Sequence, residues 1–549
     1  MKKLIIFLAV SSLFMISSLM ISKAQVSEQW VQKYNGPGSA EDAATSIAVD
    51  ASGNIYVTGY STGSGSGHDY TTIKYSPSGS QQWVARYNGP GNALDEALAI
   101  AVDAAGNVYI TGRSAAGSTE YTYDYATIKY NSSGTQLWAA RYNSPVNGQD
   151  VAFAIAVDSE GNVYVTGQSG HPALDSDIGT IKYNSAGVQQ WAVEYDLTGN
   201  WDTGLSIAVD NLNNVYVAGF HSTNWGTAYL DYVTIKYNAQ GIQQWTRGYN
   251  GAGNNSDNAI VVGLDGSGNV YVTGFSTGQP GQVYDIATIK YNPSGDQQWV
   301  QTYSSGSPSI DVPRAMKIDE SGNVYITGAI SFDIGTLKYN SNGVQQWVAR
   351  YDFNGNFDAA RSIAIDGQGN SYVTGVSGKA PNESLNDYAT IKYSSSGAQQ
   401  WVQRYDGAAS DWDEAYGIAI DNSGNVYVAG YSNENAGLND ITTIKYSQTV
   451  GINVISSEVP NSFSLFQNYP NPFNPVTKIR FNVASVPRTD IKLVVYDVAG
   501  REITTLVNQQ LNPGTYETEW DASNHTSGIY FYRITAGDYS ETKKMILIK

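Results

Sequence analysis

One five-residue segment of this chain combines oxygen-bearing side chains that could bind a metal ion with residues that build tight turns. Residues 50–54 read DASGN, and close variants return at 103–107, 158–162 and 421–425. The aspartate and asparagine could be calcium ligands, or they could cap a hairpin between two strands. A calcium loop needs more oxygen donors and a distal glutamate, and none follows at a fixed offset. The spacing therefore favours a hairpin in which Gly53 adopts the left-handed conformation.

Few other residues could carry nucleophilic, redox or zinc chemistry. The chain has no cysteine, which excludes disulfides, thiol nucleophiles and cysteine-ligated zinc. Four histidines are present: His68, His171, His221 and His525. They form no HxxxH or HExxH spacing, so neither a zinc enzyme nor a Ser-His-Asp hydrolase is indicated.

The DASGN segment belongs to a repeat with a period of about 53 residues. The motif GN-x-Y recurs eight times, with NN in place of GN in one copy. The asparagine at its second position is Asn54, Asn107, Asn162, Asn214, Asn269, Asn323, Asn370 or Asn425. Each period holds four runs rich in β-branched and aromatic residues, as in AIAVD, NVYITG, ATIKYN and QLWAARYN. Four strands in such a period are typical of a β-propeller blade. A string of separate small sandwiches is the alternative, but each unit would have unpaired edges and too small a core.

The two ends of the repeat region complement each other. The run QWVQKYN at 29–35 is of the kind that ends each period, and the last period lacks that run. We therefore expect the N-terminal strand to complete the last blade. The sequence predicts an all-β fold whose residues 25–447 form an eight-bladed β-propeller closed by the N-terminal strand.

The repeat motifs carry a family resemblance. D-x-x-GN-x-Y-V-T-G and D-Y-x-T-[IV]-K-Y are similar to the units of the bacterial beta-propeller repeat (SBBP-type) family, over roughly residues 25–448. Copy four departs from the pattern at Asn213 and Asn214, and copy six has a shortened middle loop. The resemblance implies a propeller and leaves function open, because propellers include both binding proteins and enzymes.

Two further sets of aspartates recur in every copy. One lies eight residues before the hairpin aspartate: Asp42, Asp95, Asp150, Asp202, Asp257, Asp311, Asp358 and Asp413. The other opens the third strand: Asp69, Asp124, Asp177, Asp231, Asp285, Asp333, Asp387 and Asp440. Within a blade the two are expected on one rim, about 10 Å apart. We interpret them as loop caps and predict no cofactor or metal, with calcium as the alternative.

The rim with these aspartates is also where the copies differ. Its middle loops diverge, whereas the hairpins of the other rim are nearly identical. Aromatic residues break the pattern there: Trp201, Phe357 and Trp412 before the rim aspartate, and Tyr121, Tyr123, Trp225 and Tyr229 in the middle loops. These residues predict a site for a glycan, through stacking on sugar rings, or for a protein partner. The alternative is that the aromatic residues anchor their own loops.

The net charge and the small number of candidate catalytic carboxylates limit the functions that the sequence can support. The chain has 49 acidic and 31 basic residues, a formal net charge of -18, so nucleic acid and anionic lipid would be repelled. An enzyme would need a carboxylate that breaks the repeat, and four qualify by position: Glu120, Asp175, Glu383 and Glu434. Because nothing pairs them, we expect no catalysis. A surface polysaccharide lyase or hydrolase and a structural component of the surface layer are the alternatives.

The N-terminus has the order of a secretory signal. Two lysines precede an apolar run from Leu4 to Ile21, and Ser22 and Ala24 follow. This order predicts a signal peptide over residues 1–24 with cleavage after Ala24, and no transmembrane segment once it is removed. A retained membrane anchor is the alternative, because the run is long for a signal.

A second domain follows the repeats. Residues 448–462 are predicted to be a linker, and residues 463–549 a small β-sandwich of immunoglobulin-like type. NYPNPFNP (468–475), VYDVAGREI (495–503), SGIYFYRI (527–534) and KKMILIK (543–549) resemble the type A sorting domain of type IX secretion in the Bacteroidetes and their relatives. The sorting residues by this resemblance are Asn468, Tyr469, Pro470, Asn471, Pro472, Phe473, Lys543 and Lys544. The resemblance implies type IX machinery as a partner, and a secreted or outer-membrane surface location.

Overall fold

The computed structural model describes residues 25–117, 122–170, 176–197, 201–222, 229–253, 255–278, 284–306, 310–379, 385–409, 411–435, 438–449, 453–456, 458–484, 489–522 and 525–548. These residues form strands, turns and bends without any helix. No helix long and apolar enough to cross a membrane therefore occurs in the described segments.

The chain divides into two compact units, one of which is Val26–Gln448 and the other of which includes Thr449–Lys549. Within the first unit, each repeat forms one four-stranded antiparallel sheet. Sheet 1 contains β2 (Asp42–Val49), β3 (Ile55–Thr62), β4 (His68–Tyr75) and β5 (Gln81–Tyr87). Sheet 2 contains β6 (Asp95–Val102), β7 (Val108–Ala115), β8 (Tyr123–Tyr130) and β9 (Gln136–Tyr142). Sheet 3 contains β10 (Val151–Val157), β11 (Val163–Gly170), β12 (Ser176–Tyr183) and β13 (Gln189–Tyr195). Sheet 4 contains β14 (Asp202–Val209), β15 (Val215–Ser222), β16 (Leu230–Tyr237) and β17 (Gln243–Tyr249).

The remaining repeats follow the same order. Sheet 5 contains β18 (Asp257–Leu264), β19 (Val270–Ser276), β20 (Asp285–Tyr291) and β21 (Gln297–Tyr303). Sheet 6 contains β22 (Asp311–Ile318), β23 (Val324–Ile330), β24 (Asp333–Tyr339) and β25 (Gln345–Tyr351). Sheet 7 contains β26 (Asp358–Ile365), β27 (Ser371–Gly378), β28 (Asn386–Tyr393) and β29 (Gln399–Tyr405). Sheet 8 contains β30 (Asp413–Ile420), β31 (Val426–Asn435), β32 (Leu438–Thr449) and β1 (Gln25–Tyr34). Its strand order is β30-β31-β32-β1, so both ends of the repeat region contribute to it.

The first strands of the sheets contact one another in succession. β2 contacts β6, β6 contacts β10, and the series continues through β14, β18, β22, β26 and β30. β30 in turn contacts β2. The hydrophobic cores lie between consecutive sheets, as where Tyr56 and Tyr70 of sheet 1 pack with Val108 and Ile128 of sheet 2.

A tryptophan in each fourth strand joins its sheet to the next. Trp83 donates its indole N–H to the Ser132 carbonyl of sheet 2 at 3.2 Å. Its ring lies 6.1 Å from that of Tyr56 and 6.2 Å from that of Tyr130. Gly134 has a φ of 84°, a backbone conformation that favours glycine. A Cβ at this position would also lie 2.7 Å from the Trp83 indole, which is too close.

The same contact is repeated along the chain. Corresponding indole-to-carbonyl hydrogen bonds join Trp138 to Ser185, Trp191 to Ala239, Trp245 to Pro293, Trp299 to Ser341, and Trp347 to Ser395. Trp30, in β1 of sheet 8, donates in the same way to Pro77 of sheet 1 at 3.3 Å. Lys445 of sheet 8 also donates to the Pro77 carbonyl, at 2.8 Å.

The DASGN segments are hairpins, as predicted. Asp50 accepts the backbone N–H groups of Ser52 and Asn54 at 2.9 Å, the Asn54 side-chain amide at 2.8 Å and the Tyr56 hydroxyl at 3.0 Å. Burial raises the pKa of Asp50, but these hydrogen bonds outweigh it and the pKa is lowered. The same contacts recur at Asp103, Asp158, Asp210, Asp265, Asp319, Asp366 and Asp421. Each carboxylate is thus satisfied by its own hairpin.

The C-terminal unit contains two four-stranded sheets around one hydrophobic core. One sheet has the order β33 (Asn453–Ser456), β38 (Gly514–Asp521), β35 (Val476–Val483) and β34 (Ser464–Leu465). The other has the order β37 (Glu502–Leu511), β36 (Thr489–Tyr496), β39 (Gly528–Ala536) and β40 (Tyr539–Leu547). β33 lies inside the stretch 448–462 that we predicted to be a linker. It pairs with β38, so this part of the stretch is a sheet strand.

We expect Gly134→Ala to destabilise the protein more than Gly424→Ala does. Both glycines have positive φ values, 84° and 76°, so alanine is strained at either site by roughly 1–2 kcal/mol. Gly424 has no atom within 4 Å of an added Cβ, whereas Gly134 faces the Trp83 indole. Overpacking there is expected to lower the free energy of unfolding by a further ~1–3 kcal/mol. Urea unfolding followed by tryptophan fluorescence measures the difference, and equal effects would contradict the proposed role of the indole contact.

Candidate functional site

The aspartates that open the first strands are loop caps. Asp95 is fully buried and accepts the backbone N–H groups of Gly89 at 2.6 Å and Ala115 at 3.1 Å. Burial raises the pKa of Asp95 despite these hydrogen bonds. The carboxylates of Asp42, Asp150, Asp257, Asp311 and Asp413 accept the same two kinds of backbone N–H. These aspartates join the loop before the first strand to the end of the second.

The aspartates of the third strands form the second set, and four of them pair with an arginine of the fourth strand. Arg141 contacts Asp124 at 2.8 Å and also donates to the Ser114 carbonyl at 3.0 Å, so one guanidinium connects three strands. The other pairs are Arg86 with Asp69, Arg350 with Asp333, and Arg404 with Asp387. Both sets lie at the sheet edge opposite the hairpins, which we call the loop edge.

Two groups of three aspartates at the loop edge are close enough to hold a cation. In the first, Asp387, Asp406 and Asp413 have carboxylate oxygens within 4.8 Å of one another. The Lys379 ammonium lies 3.2 Å from Asp387 and 2.7 Å from Asp406, so the chain supplies its own cation. Lys379 thus compensates part of the negative charge of this group.

The second group is the equivalent one in the preceding repeat, formed by Asp333, Asp352 and Asp358. Arg350 pairs with Asp333 at 2.6 Å. The middle loop here is only Ser331 and Phe332, because Ile330 pairs with Asp333 across a two-residue turn. No lysine of the described chain takes the place that Lys379 has in the next repeat.

Four of the predicted aromatic residues are exposed at the loop edge. Trp201 is 51%, Phe357 49%, Trp412 43% and Tyr229 42% exposed. The Trp201 ring packs edge-to-face on Phe220 at 5.5 Å, and the Phe357 ring lies 6.3 Å from Phe332. Trp201 and Tyr229 belong to sheet 4, Phe357 to sheet 7 and Trp412 to sheet 8. No ring contact among the described residues joins two of these four, so they do not form one aromatic cluster.

Tyr123 differs from its prediction. It is the first residue of β8 rather than a loop residue, and only 7% of it is exposed. The guanidinium of Arg113 lies 5.0 Å above its ring and covers it. Tyr123 therefore supports Arg113 and offers no stacking surface.

The other predicted positions fall mostly outside the described residues. These are Tyr121, Trp225, the cleavage residue Ala24, and the carboxylates Glu120, Asp175 and Glu383. Glu434 lies in β31.

A further group of candidate site residues lies at β-bulges. The sequence analysis did not single them out. In each first strand the pairing with the second strand skips one residue. The skipped residue lies three positions after the loop-cap aspartate. The unpaired residues are Thr45, Leu98, Phe153, Leu205, Ile260, Arg314, Arg361 and Tyr416. A bulge re-aims its side chain and is common next to functional sites. The bulge residues of sheets 2–5 are apolar, while those of sheets 6–8 and sheet 1 are polar or charged.

The bulge residues of sheets 7 and 8 take part in one network. Arg361 donates to the Glu414 carboxylate at 2.6 Å, and its guanidinium lies 5.6 Å from the Tyr416 ring. Tyr431 donates its hydroxyl to the other oxygen of Glu414 at 3.2 Å. The rings of Tyr416 and Tyr431 are 6.0 Å apart.

A second network in sheets 1 and 2 adjoins the first. The Tyr60 ring stacks on His68 at 4.2 Å, and His68 Nδ1 lies 3.0 Å from Glu96 Oε1. Arg113 donates to the other oxygen of Glu96 at 2.9 Å. Burial raises the pKa of Glu96, but the contacts with His68 and Arg113 outweigh it and the pKa is lowered. Burial raises the pKa of Tyr60, with contributions from Glu41, Glu96 and Tyr416 of sheet 8.

One signal in the sequence could have revealed these residues. The first strands usually carry small or apolar residues, and Glu96, Arg314, Arg361, Glu414 and Tyr416 depart from this pattern.

The predicted sorting residues attach the start of the C-terminal unit to its last strand. Phe473 is 2% exposed, packs on Trp520 at 5.5 Å and donates its N–H to the Ile546 carbonyl at 3.0 Å. Asn471 accepts the Ile546 N–H at 3.0 Å. Asn468 is buried and donates its side-chain amide to the Pro470 carbonyl at 3.0 Å and to Thr477.

Other sorting residues remain on the surface. Tyr469 is 80% exposed and directly follows the buried Asn468. Both Tyr469-Pro470 and Asn471-Pro472 are cis peptides. Lys543 pairs with Glu541 at 2.9 Å, and Lys544 is exposed on β40.

Comparison with known proteins identifies both parts of the chain. Residues 467–549 match the secretion system C-terminal sorting domain, and residues 29–65, 146–172 and 400–436 match the Beta-propeller repeat. This is a beta-propeller repeat protein with a type IX secretion sorting domain. The sorting domain directs the repeat protein through type IX secretion to the cell surface or the extracellular space, and implies an interaction with the secretion machinery.

Relatives of the repeat protein are distant. A WD repeat-containing protein of Acanthamoeba polyphaga mimivirus is 27% identical over 190 residues, which are 32% of this chain and 11% of that protein. A fungal alcohol oxidase of the AA5 family, in complex with copper, has a TM-score of 0.39 at 10% identity, covering 96% of this chain and 100% of its own. A PL25 ulvan lyase has a TM-score of 0.37 at 10% identity, covering 75% of this chain and 95% of its own. Similarity at this level assigns no activity to the repeat protein.

We expect EDTA to leave the melting temperature of the repeat protein unchanged. The hairpin aspartates, most loop caps and the Lys379 group have their carboxylates satisfied by backbone N–H groups, side-chain amides or cations. Calorimetric scans with calcium and with EDTA measure this. A lower melting temperature in EDTA that Asp352→Asn abolishes would instead assign a metal ion to Asp333, Asp352 and Asp358. Asp406→Asn, in the Lys379 group, is the matched control.

We also expect Asp202→Asn to weaken the pH dependence of stability. Burial, together with the charges of Asp196 and Asp177, raises the pKa of Asp202 to about 7. The folded state then binds the proton more tightly than the unfolded state, so this group makes the free energy of unfolding fall as the pH rises from about 4 to about 7. Burial lowers the pKa of the cross-strand neighbour His221, which acts in the opposite sense in both proteins.

The measurement is urea unfolding at pH values across this interval. Asp202→Asn is expected to reduce the fall in unfolding free energy by at least about 1 kcal/mol. The control is Asp210→Asn, because the pKa of Asp210 is lowered and its effect lies below this interval. Parallel pH curves for wild type and Asp202→Asn would contradict the assignment.

Proposed function

We propose that the eight sheets close into an eight-bladed β-propeller whose loop edge binds an extracellular glycan or protein. Closure is supported by β1, which is the fourth strand of sheet 8, and by the contact of β30 with β2. The Trp30 contact with Pro77 places sheet 8 against sheet 1 as each sheet lies against its successor. A closed ring also leaves no sheet without a neighbour on either face.

The observation that carries the binding proposal is the pair of adjoining networks across sheets 7, 8, 1 and 2. Tyr60, His68, Tyr416 and Tyr431 bring four aromatic rings next to the charged pairs Arg361–Glu414 and Arg113–Glu96. In a repeat protein the structural contacts recur in every copy, and these do not. Aromatic rings beside fixed charges are the usual composition of a ligand site.

The exposed aromatic residues extend this surface outward. Trp201, Phe357, Trp412 and Tyr229 lie at the same edge, in loops that differ between copies. We infer that a ligand large enough to reach them from the network is a polymer, and favour a glycan because single, separated rings suit stacking on successive sugars.

The C-terminal unit directs export of the protein, so that the loop edge is exposed outside the cell. We infer an immunoglobulin-like arrangement for residues 463–549, because two four-stranded sheets share one core. Exposed Tyr469 and Lys544 lie near the sorting motif's attachment to β40 and are available to the secretion machinery.

A second candidate function, a polysaccharide lyase, is favoured by one specific observation. Tyr60 and His68 are stacked, and His68 is hydrogen-bonded to Glu96, which holds the imidazole in place. Such a pair could take the proton from the carbon next to a substrate carboxylate and donate a proton to the glycosidic oxygen that leaves as the neighbouring C–O bond breaks. Arg113 or Arg361 would neutralise the carboxylate. The reaction would release an unsaturated sugar product.

The experiment is a glycan array probed with the full chain, followed by titration with each glycan that binds. We expect Tyr416→Ala, Trp201→Ala and Trp412→Ala each to weaken binding by about threefold to thirtyfold, the loss typical of an aromatic contact. The matched control is Leu212→Ala, an equally apolar side chain that is 79% exposed in a hairpin at the opposite edge.

The outcomes separate the candidate functions. Binding that the loop-edge variants lose and Leu212→Ala retains supports the binding function. Product release that His68→Ala abolishes supports the lyase. Absence of both glycan and protein ligands contradicts the proposal and favours a structural component of the surface layer.

A further inference from the structure

The first strand of sheet 6 carries two positive charges, whereas Arg361 is the single basic residue among the other seven first strands. Arg314 is the bulge residue of sheet 6, and Lys317 follows three positions later in the same strand, β22. At the position of Lys317 the other first strands carry a small residue: Ala48, Ala101, Ala156, Ala208, Gly263, Ala364 and Ala419. Lys317 therefore takes the place of a small residue in a strand that contacts the first strands of both neighbouring sheets.

Neither cation has a direct partner within the described chain, although the charge of Glu414 favours the charged form of Arg314. Arg314 and Lys317 make no hydrogen bond or ion pair with any described residue, although both side chains are accessible to solvent. Burial by the surrounding strands lowers the pKa of Lys317. Burial, followed by the nearby charge of Arg361, also lowers the pKa of Arg314.

The local charge is opposite to that of the whole chain. Arg314, Lys317 and Arg361 bring three positive charges, and Glu414 is the carboxylate that pairs with Arg361. The chain as a whole has a formal net charge of -18. A local excess of positive charge in such a protein indicates a specific anionic ligand rather than a general attraction to polyanions.

We propose that Arg314 and Lys317, with Tyr416 and Arg361 beside them, bind an oxyanion carried by an acidic glycan, the carboxylate of a uronic acid. The guanidinium of Arg314 offers two parallel N–H groups to a carboxylate, and Lys317 adds a point charge deeper among the first strands. The inference rests on the binding function proposed above and specifies the class of its ligand.

The surroundings of the cations favour a sugar as the carrier of the anion. Tyr416 and Tyr431 lie next to the Arg361–Glu414 pair, and hydroxyl-bearing rings can both stack on a sugar and hydrogen-bond to it. The bulge residues of sheets 2–5 are apolar: Leu98, Phe153, Leu205 and Ile260. A uronic acid has a charged carboxylate and an apolar ring face. These two features match the charged bulge residues of sheets 6 and 7 and the apolar bulge residues of sheets 2–5.

The experiment measures binding of a fluorescent galacturonic acid hexamer to the full chain by anisotropy. We expect Arg314→Gln to weaken binding by about tenfold or more, and Lys317→Gln to weaken it by a similar factor, as for hydrogen bonds to charged groups. The matched control is Lys338→Gln, which removes the same charge from sheet 6, where Lys338 lies over the Tyr325 ring instead. That variant is expected to bind as wild type does.

Two further probes identify the anion. The carboxyl-reduced hexamer, which has the same sugar rings without the charge, should bind at least about tenfold more weakly. If a sulfated neutral hexamer binds more tightly than the galacturonic acid hexamer, the preferred anion is a sulfate. That result would overturn the assignment to a uronic acid. Tighter binding of a polyglutamate peptide would overturn the assignment to a glycan.

Stability gives an independent readout. Because Arg314 and Lys317 have no direct partner, their glutamine variants should unfold at the same or a higher temperature than wild type. The hexamer should raise the melting temperature of wild type more than that of either variant. A lower melting temperature in both variants would mean that the cations are structural and would overturn the proposal. If no acidic glycan binds while Trp201→Ala or Trp412→Ala still loses another ligand, this inference fails and the binding function stands.

Discussion

The contact between a tryptophan of one sheet and a glycine turn of the next is the interaction on which the remaining structure depends. A single four-stranded sheet of this size cannot bury both of its faces, so each sheet needs a neighbour on either side. The indole of Trp83 fills this need by packing between two tyrosines and donating to the Ser132 carbonyl. Gly134 permits the approach, because any side chain there would collide with the ring. Sheet 8 makes the equivalent contact with sheet 1 through Trp30, and the first strands are brought together as a result.

Uniform packing leaves two places where the copies can differ without loss of stability. One is the loop edge, where Asp95 and its equivalents hold the loop ends and leave the intervening residues free to vary. The other is the bulge of each first strand, whose side chain is released from the ladder of paired residues. The aromatic and charged residues of the candidate site occupy both places. The candidate site therefore lies where the repeat makes the fewest structural demands.

Several features were predictable because they depend on local chemistry repeated many times. The hairpin role of Asp50 follows from a spacing that recurs in every copy, and the hydrogen bonds agree with it. The loop-cap role of the rim aspartates was predicted in the same way, whereas the sorting domain was recognised from motifs that resemble those of a known family. Tyr123 was assigned incorrectly to a loop, since the sequence does not show how far β8 extends or that Arg113 covers the ring. The short strand β33 was missed because four residues in a polar stretch carry no clear periodicity.

The sequence by itself determined the repeat, its four strands, the turn chemistry and the export route, because each of these is encoded within a few dozen consecutive residues. Only the tertiary structure decided which side chains meet. Tyr60, Glu96, Arg361 and Tyr416 are far apart along the chain, and they come together because the last sheets lie beside the first. The bulges then turn Arg361 and Tyr416 out of the strand pattern, which an alternating sequence cannot reveal. DASGN thus proved to be the part of the repeat that is most regular, and the site lies among residues whose importance depends on long-range packing.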